Sequence, residues 1–357
     1  MGFLDYYRQF EELPPDEVSR RLRDRRDAER SRRLAEVPAL DLATSAWHEP
    51  PHPEVVNAAT FALRRAVNAY PDPTAAALRE AVAAAHGTEP ERMVVSHGAG
   101  ELLRAALRAL LVRGGDVVLA WPGWARLPAL VQAAGGTPRP ADPGALRGAL
   151  DERTRAVVLC RPADPTGAVA RLEGVRALAA ALPETAWLVL DEALAGFEPP
   201  AADGPLEHPR VLRVRSFSKA HAMAGFRIGY ALLPEGADEL AAALAPAGGV
   251  NAPALAGAQW AVESGAGAVA RRRAVAARER ERLAAALAGT PLAFPAGHGP
   301  FVWLSSAEHD GRALAEHLAA RRIYVAPGAA WGDARHVRVT LRGAAATDRF
   351  VAALAEL

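Results

Sequence analysis

Short apolar segments alternate with longer segments rich in alanine, leucine and arginine through the middle of this chain. The apolar segments are Met93–Ser96, Val117–Ala120, Val157–Cys160, Trp187–Leu190, Val211–Val214 and Ile228–Leu232. Each is followed by a loop and a segment of helical character, which predicts a mostly parallel sheet covered by helices on both faces. Ligands of such sheets bind outside the strand ends, so we expect the functional residues there.

Beyond about Pro246 the pattern changes. Long helical segments are predicted at Val269–Leu287 and Arg312–Ala320, with strands at residues 301–304 and 337–341. This pattern predicts a second, smaller α/β domain. We therefore expect an N-terminal arm over residues 1–46, a large domain over residues 47–245 and a small domain over residues 246–357.

The first forty residues include a stretch from Ser19 to Arg33 in which arginines are interleaved with aspartates and glutamates. Mixed charges at helical spacing favour a solvated helix with local ion pairs over an arm that binds nucleic acid. We expect this arm to pack on a subunit or partner surface.

Composition narrows the function classes. The formal charge of the 357-residue chain is only +1, so no large basic field attracts nucleic acid. Cys160 is the only cysteine, which excludes an internal disulfide and fits a reducing compartment. Charges begin at Asp5 and no long uncharged apolar run follows, so neither export nor membrane insertion is expected. The expected location is the cytoplasm.

Lys219 is the only lysine, since 41 of the 42 lysine and arginine residues are arginine. A guanidinium stays protonated, whereas a lysine amine can lose its proton and condense with a carbonyl. The single lysine therefore indicates chemistry that needs a neutral amine.

The surroundings of Lys219 carry a family resemblance. They read Ser216-Phe-Ser218-Lys219 and then, after a run of small residues, Gly225-Phe-Arg227-Ile-Gly229-Tyr230. This resembles the cofactor-lysine motif of class I/II aminotransferases that use pyridoxal 5′-phosphate (PLP), close to histidinol-phosphate aminotransferase. The resemblance spans roughly Tyr70 to Arg342. It implies the PLP-transferase fold type I, with a mostly parallel sheet of the seven-stranded type between helices and a smaller α/β domain.

The same resemblance implies roles for the residues of the motif. Lys219 would hold PLP covalently, while Ser216, Ser218 and Arg227 would bind its phosphate. Hydroxyls donate to phosphate oxygens and a guanidinium supplies a fixed bidentate charge, so the residue types suit these roles.

Two further motifs match the family at the ends of predicted strands. Asp191 begins an Asp-Glu-Ala segment, and its resemblance implies a carboxylate beside the pyridine nitrogen of PLP, where it keeps that nitrogen protonated. Gly98-Ala99-Gly100 opens a helix after a strand, where glycines let the backbone approach an anion and free N–H groups meet phosphate. The resemblance assigns these residues to the cofactor phosphate.

Three more residues take roles from the resemblance. Trp124 falls where the family stacks an aromatic ring on the pyridine. Tyr70, in Tyr-Pro-Asp-Pro, matches a tyrosine that reaches the phosphate of the other subunit's cofactor, which implies a homodimer with shared active sites. Arg338 matches the small-domain arginine that holds the substrate α-carboxylate, for which a guanidinium fork is suited. No metal site is assigned.

Three departures from the family pattern bear on the chemistry. Asp164 replaces the asparagine that donates to the phenolic oxygen of PLP, and Leu194 replaces the tyrosine that makes a second bond to it. We expect an altered protonation equilibrium of the bound cofactor unless Asp164 is protonated or paired with an arginine such as Arg161. The family's Asn-Glu-Asn-Pro segment corresponds to residues 45–48, which read Ser-Ala-Trp-His.

The function favoured by these residues is a PLP-dependent aminotransferase that moves an amino group between an L-amino acid, or a histidinol-phosphate-like amine, and a 2-oxo acid. Decarboxylation, cyclisation or oxidation of an amino acid at the same cofactor stays open, and Asp164 and Leu194 are the features that favour it. A PLP-binding homologue without turnover is the alternative from another class. The sequence names neither the amino donor nor the acceptor.

Overall fold

Three sheets organise the chain, which a computed structural model describes over residues 14–199 and 206–357. The strands are β1 (Leu40–Asp41), β2 (Met93–Ser96), β3 (Asp116–Ala120), β4 (Thr137–Ala141), β5 (Thr154–Cys160), β6 (Trp187–Asp191), β7 (Val211–Ser216), β8 (Gly229–Leu232), β9 (Leu292–Ala293), β10 (Phe301–Ser306), β11 (Ile323–Tyr324), β12 (Ala326–Pro327) and β13 (His336–Thr340). The α-helices are α1 (Pro15–Glu36), α2 (Pro53–Ala66), α3 (Ala76–His86), α4 (Ala99–Leu110), α5 (Leu127–Ala133), α6 (Leu172–Ala180), α7 (Asp238–Leu244), α8 (Ala252–Ser264), α9 (Ala266–Leu287), α10 (Gly311–Ala319) and α11 (Ala344–Leu354).

The largest sheet has seven strands in the order β2-β8-β7-β6-β5-β3-β4. All neighbouring strands are parallel except β8, which is antiparallel to both β2 and β7. The segment between β7 and β8 holds no α-helix, and a parallel crossover usually needs one. The predicted mostly parallel α/β architecture is confirmed.

Strand β4 was not predicted from the sequence. It reads Thr-Pro-Arg-Pro-Ala and lies at the edge of the sheet beside β3. Proline has no N–H to donate to a neighbouring strand, so two prolines are tolerated in an edge strand. The same prolines argue against a strand when only the sequence is considered. The remaining six strands of this sheet match the predicted apolar segments.

Alternating side chains of the central strands explain the two helical layers. Val117 and Leu119 of β3 face one side, where they pack with Leu103 and Leu107 of α4, all at most 1% exposed. The intervening Val118 faces the other side and joins a second cluster that includes residues of α6. Because both faces are covered, the middle strands are apolar throughout rather than alternately polar.

The second half of the chain builds the small sheet, with the antiparallel order β12-β13-β10-β9. Helices α9, α10 and α11 pack near it. Helices α9 and α10 match the two predicted long helices, whereas α11 was not predicted. Strand β1 pairs in parallel with β11, and Leu42, just after β1, is 2% exposed within the core of this region. The chain after helix α1 therefore packs against the small sheet through β1 and Leu42. Helix α8, by contrast, contributes Ala254 and Ala258 to a core shared with β2.

Helix α1 covers the arginine-rich stretch, and residues 1–13 of the predicted arm lie outside the described residues. Two pairs one helical turn apart, Arg21 with Glu17 at 3.0 Å and Arg25 with Glu29 at 3.4 Å, lie on its exposed surface. The predicted solvated helix with local ion pairs is confirmed. Within residues 14–199 and 206–357, none of the helices combines the length and apolarity needed to cross a bilayer.

Candidate active site

A cavity of about 640 Å³ lies at the carboxyl ends of the parallel strands. It is lined by Thr44, Ser45, Ala46, His97, Ala99, Gly100, Glu101, Leu103, Arg104, Trp124, Arg126, Leu130, Cys160, Pro162, Asp164, Asp191, Ala193, Leu194, Ser216, Ser218, Lys219, Ala224, Arg227 and Arg338. Strands β5, β6 and β7 end here, as the rule for doubly wound sheets requires. Lysine and arginine outnumber aspartate and glutamate by two in this lining, which favours an anionic ligand.

Lys219 lies three residues beyond β7 and points its amine into the cavity. Its Nζ donates a hydrogen bond of 2.6 Å to Oγ of Ser45. Burial lowers the pKa of this amine below its ordinary value, and the nearby Arg338 and Arg227 lower it further against the opposing charges of Asp164 and Asp191. The neutral amine required for condensation with a carbonyl is therefore more accessible here than in water.

Asp191 is the last residue of β6 and is 7% exposed. Burial raises the pKa of its carboxyl to about 6, although hydrogen bonds from the Ala193 backbone N–H at 3.0 Å and from the Cys160 thiol at 3.6 Å oppose that rise. Cys160 is brought there by strand register, since it pairs with Asp191 between β5 and β6. A buried carboxyl with a raised pKa gains from a cationic N–H partner, such as a protonated pyridine.

An anion cradle forms where β2 and β7 end. Gly98 has φ = +96°, a conformation that L residues rarely adopt, and a Cβ there would lie 3.0 Å from Nη2 of Arg227. Arg227 itself has a left-handed backbone, with φ = +52°, and its Nη1 donates to the Ala224 carbonyl at 3.0 Å and to Oγ of Ser218 at 3.4 Å. Glycine thus lets the guanidinium lie against the backbone that opens α4.

Trp124 closes another side of the cavity. Its ring lies against Gly100, where an added Cβ would be 3.2 Å from the ring's Cη2 atom. The absence of a side chain at Gly100 therefore leaves room for the indole. The predicted stacking residue thus lines the same cavity as Lys219 and Asp191.

Arg338 and Asp164 form an ion pair across the cavity. Nη1 of Arg338 donates to Oδ1 and Oδ2 of Asp164 at 2.7 and 2.9 Å. Asp164 is thus paired with an arginine, which was one of the two predicted possibilities. The suggested partner, Arg161, was wrong. Arg161 points away, is 1% exposed and forms an ion pair of 3.0 Å with Glu198. Arg161 directly follows Cys160, the last residue of β5, and successive side chains of a strand point to opposite faces, so Arg161 points away from the cavity that Cys160 lines.

Leu194 lines the cavity and continues into an apolar cluster. It is 5% exposed and packs in the cluster that contains Trp47, Phe197 and Phe301. The replacement of the family's tyrosine therefore leaves an apolar contact where a hydroxyl could otherwise donate.

Tyr70 is the predicted site residue that the single chain does not bring to the cavity. Its side chain is 99% exposed, and it lies in the loop between α2 and α3. The other predicted residues line the cavity, except Gly98, which contacts Arg227 at its edge.

Several polar lining residues were not predicted as site residues, among them Ser45, Cys160 and Arg126. The sequence marked Ser45 only as a departure from the family and Cys160 only as an unpaired cysteine. The strand-terminal position of Cys160 beside that of Asp191 was a usable signal. Ser45 carries no such signal, because its contact with Lys219 joins residues 174 positions apart.

Comparison with known proteins agrees with this geometry. The family described as aminotransferase class I and II matches residues 38–356. The chain belongs to this family. It is 40% identical to the histidinol-phosphate aminotransferase of Rubrobacter xylanophilus over 266 residues, covering 71% of this chain and 75% of that protein. It is 34% identical to the aromatic amino acid aminotransferase of Corynebacterium jeikeium over 341 residues, covering 88% of each.

Solved structures show the same fold as this aminotransferase. The histidinol-phosphate aminotransferase of Sinorhizobium meliloti in complex with PLP has a TM-score of 0.82 at 28% identity, covering 92% of this chain and 93% of that chain. The aspartate aminotransferase of Thermus thermophilus with maleate has a TM-score of 0.80 at 26% identity, covering 92% and 94%. The predicted fold type I, the PLP cofactor and the aminotransferase function are confirmed.

The described residues of the cavity fit PLP. A buried amine at Lys219, a buried carboxyl at Asp191 and a cationic cradle at Gly98 and Arg227 match the aldehyde, the pyridine nitrogen and the phosphate of that molecule. The volume also lies within the range of about 300–1,000 Å³ typical of small-molecule sites.

Proposed function

We propose that this aminotransferase holds PLP through Lys219 and uses the same amine to move a proton during amino-group transfer. The observation that carries the proposal is the position of Lys219, whose Nζ lies 2.6 Å from Ser45 in a cavity also lined by Asp191 and Arg227. When bound, PLP supplies an aldehyde that condenses with amines and a ring that withdraws electrons from the substrate carbon.

Each residue then has one task. The amine of Lys219 would hold the cofactor and, once free, would accept and return the proton of the substrate's reacting carbon. Its lowered pKa supports the role of base, since a neutral amine can accept that proton. Asp191 would keep the pyridine nitrogen protonated. Arg227, Ser216, Ser218 and the N–H groups of Ala99 and Gly100 would bind the phosphate, and Trp124 would cover the ring.

Lys219→Arg tests this assignment. The substitution keeps the charge but removes an amine that can condense with an aldehyde, so we expect at least about a thousandfold loss of kcat. Borohydride treatment of the PLP-loaded wild type should fix the cofactor on the peptide that contains residue 219, as read by mass spectrometry. The variant should stay unlabelled. Labelling of the variant, or retention of wild-type turnover, contradicts the proposal.

The substrates belong to the same proposal. We infer a donor with an aromatic or imidazole ring, because two relatives carry the names aromatic amino acid and histidinol-phosphate aminotransferase. The cavity supports a ring with apolar lining residues, among them Leu103, Leu130 and Leu194. A 2-oxo acid is the proposed acceptor.

Homodimerisation and a cytoplasmic location complete the proposal. Apolar side chains on and near α2 are exposed, including Phe61 at 61% and Val67 at 75%. These side chains lie in the same part of the chain as Tyr70. A second copy of the chain that covers them would therefore bring its cavity close to Tyr70 of the first copy. The cytoplasm suits the lone, buried Cys160, which has no cysteine partner in the chain.

A further inference from the structure

The ion pair with Asp164 occupies hydrogen-bond donors of Arg338 that could otherwise bind the carboxylate of a substrate. Nη1 of Arg338 donates to both oxygens of Asp164, and Nη2 donates to the carbonyl of Ala43 at 2.8 Å. The Arg338 and Asp164 side chains are only 10% and 13% exposed. The remaining nitrogen, Nε of Arg338, is buried and has no hydrogen-bond partner among the described residues.

The guanidinium of Arg338 is fixed from several directions. Its central carbon lies 5.0 Å from the ring centroid of Trp331 and 5.3 Å from that of Phe301. The backbone of Arg338 is held within the small sheet, where this residue pairs with Trp303 of β10 and Ala326 of β12. A fixed guanidinium cannot turn a second pair of donors toward the cavity. A carboxylate that enters must therefore take the place of Asp164.

Displacement has an electrostatic cost. The charge of Asp164 acts on both Lys219 and Asp191, since it raises the pKa of each. Once separated from Arg338, this carboxylate would remain in the cavity beside the incoming carboxylate and Asp191. Leaving a buried charge without its partner is strongly unfavourable, and two like charges in one small site add to the cost.

We propose that Asp164 is an internal carboxylate that competes with substrate carboxylates for Arg338 and so sets the substrate specificity of this aminotransferase. The inference rests on the proposed function. A donor without a carboxylate on its reacting carbon leaves the pair of Asp164 and Arg338 intact. A donor or acceptor that carries such a carboxylate binds more weakly because it must displace Asp164.

The first experiment measures binding without turnover. Isothermal titration of the PLP-loaded protein uses 3-phenylpropanoate, which has a carboxylate but no amine, and 3-phenylpropan-1-ol, which lacks the carboxylate. Asp164→Asn removes the competing charge with little change in shape, so we expect at least about tenfold tighter binding of the carboxylate. The affinity for the alcohol should change by less than about twofold, because it makes no charge interaction. Equal carboxylate affinity in the wild type and the variant overturns the proposal.

A matched control separates competition from a general change of charge. Glu101→Gln removes one negative charge from the lining of the same cavity, but Glu101 is paired with Arg104 rather than Arg338. We expect this variant to bind 3-phenylpropanoate within about twofold of the wild type, since the removed charge is not a competitor. A gain equal to that of Asp164→Asn would assign the effect to the overall field and overturn the proposal.

A double-substitution cycle ties the effect to Arg338. In an Arg338→Gln background, Asp164→Asn should no longer improve carboxylate binding, because the shared guanidinium is absent. Asp164→Ser serves as a second variant that removes the carboxylate, and it must change the affinity in the same direction as Asp164→Asn. A gain that persists without Arg338 overturns the proposal.

The second experiment compares two amines that differ only in the carboxylate. The absorbance change of the bound cofactor is followed with L-phenylalaninol and with L-phenylalanine. The wild type should prefer the amino alcohol, and Asp164→Asn should shift the ratio of the two rate constants toward the amino acid by at least about tenfold. An unchanged ratio overturns the inference alone. If neither amine changes the absorbance although borohydride labels residue 219, a phenyl-bearing donor is excluded, while the titrations still decide the role of Asp164.

Discussion

At the residue scale, the cavity combines groups whose ionisation states depend on burial. Lys219 has a lowered pKa because burial disfavours its charged form, and Asp191 has a raised pKa for the same reason. Both shifts move toward neutrality in the protein without cofactor. In the proposed site, PLP would supply an aldehyde to the amine and a cationic N–H to the carboxyl.

Asp191 gives a stability prediction for the cofactor-free protein. A rise of its pKa from 3.8 to about 6 means that the folded state binds the proton more tightly than the unfolded chain. Stability from this group is therefore full below the unfolded pKa and falls as pH rises through 3.8 to about 6, by an upper limit of roughly 3 kcal/mol.

Asp191→Asn removes this titration. We expect the cofactor-free variant to be more stable than the wild type by about 1–3 kcal/mol near pH 7, and the difference to shrink near pH 4. Urea unfolding at the two pH values measures it. The same variant should bind PLP more weakly, since the amide carries no charge for the pyridine nitrogen. A stability difference independent of pH contradicts the assignment.

At the element scale, the site is built where strands end and helices begin. The parallel strands β5, β6 and β7 bring Cys160, Asp191 and Ser216 to one edge. The turn from β2 into α4, which we propose as the cradle for the cofactor phosphate, depends on the positive φ of Gly98. Backbone conformation at this turn and side-chain chemistry at Arg227 therefore act together.

Gly98→Ala should disrupt that cradle. The new Cβ would lie 3.0 Å from Nη2 of Arg227 at a φ of +96°, so both the turn and the guanidinium must move. We expect PLP affinity to fall by at least about tenfold and stability to fall by roughly 1–2 kcal/mol. Absorbance titration with PLP and urea unfolding measure the two effects.

Gly174→Ala is the matched control for that substitution. Gly174 lies in the first turn of α6 and has no positive φ, and apart from its chain neighbours and the adjacent helix backbone no atom lies within 4 Å of an added Cβ. We expect unchanged PLP affinity and stability that is equal or higher by up to about 1 kcal/mol, because alanine favours a helix. Equal PLP affinity in the Gly98→Ala variant and the wild type would contradict the role of the turn.

At the scale of the whole molecule, the proposed dimer shares residues between two cavities. Tyr70 is 99% exposed and is not among the residues that line its own chain's cavity. An exposed tyrosine contributes little to the stability of its own chain. If replacing Tyr70 lowers the activity, we therefore expect the effect to arise at the site of the other subunit. Mixed dimers can separate these possibilities.

Tyr70→Ala and Lys219→Ala subunits are each expected to be nearly inactive. If Tyr70 serves the other subunit, a mixed dimer has one site with both residues intact, and random mixing after unfolding and refolding restores about a quarter of wild-type activity. Sedimentation must first show a dimer for each variant. A mixture as inactive as its parents, with the dimer intact, would place Tyr70 outside the partner's site.

The functional residues at the strand ends could be predicted from the sequence because each is marked by its own residue type or by its immediate neighbours. Lys219 is distinctive by composition, and Asp191 follows an apolar strand directly. The strand positions were also local, except at β4, where prolines hide an edge strand. The partner of Asp164 could not be predicted, because Arg338 lies 174 residues away and comes from the small sheet.

The sequence by itself determined the α/β architecture and the family and singled out Lys219, since apolar periodicity, short motifs and composition can be read without the fold. Only the tertiary structure decided which charges meet. It pairs Arg338 with Asp164, turns Arg161 to Glu198 and brings Ser45 to Lys219. Ion pairs and hydrogen bonds form over a few ångströms in space, and the packing of the small sheet against the strand ends sets those distances.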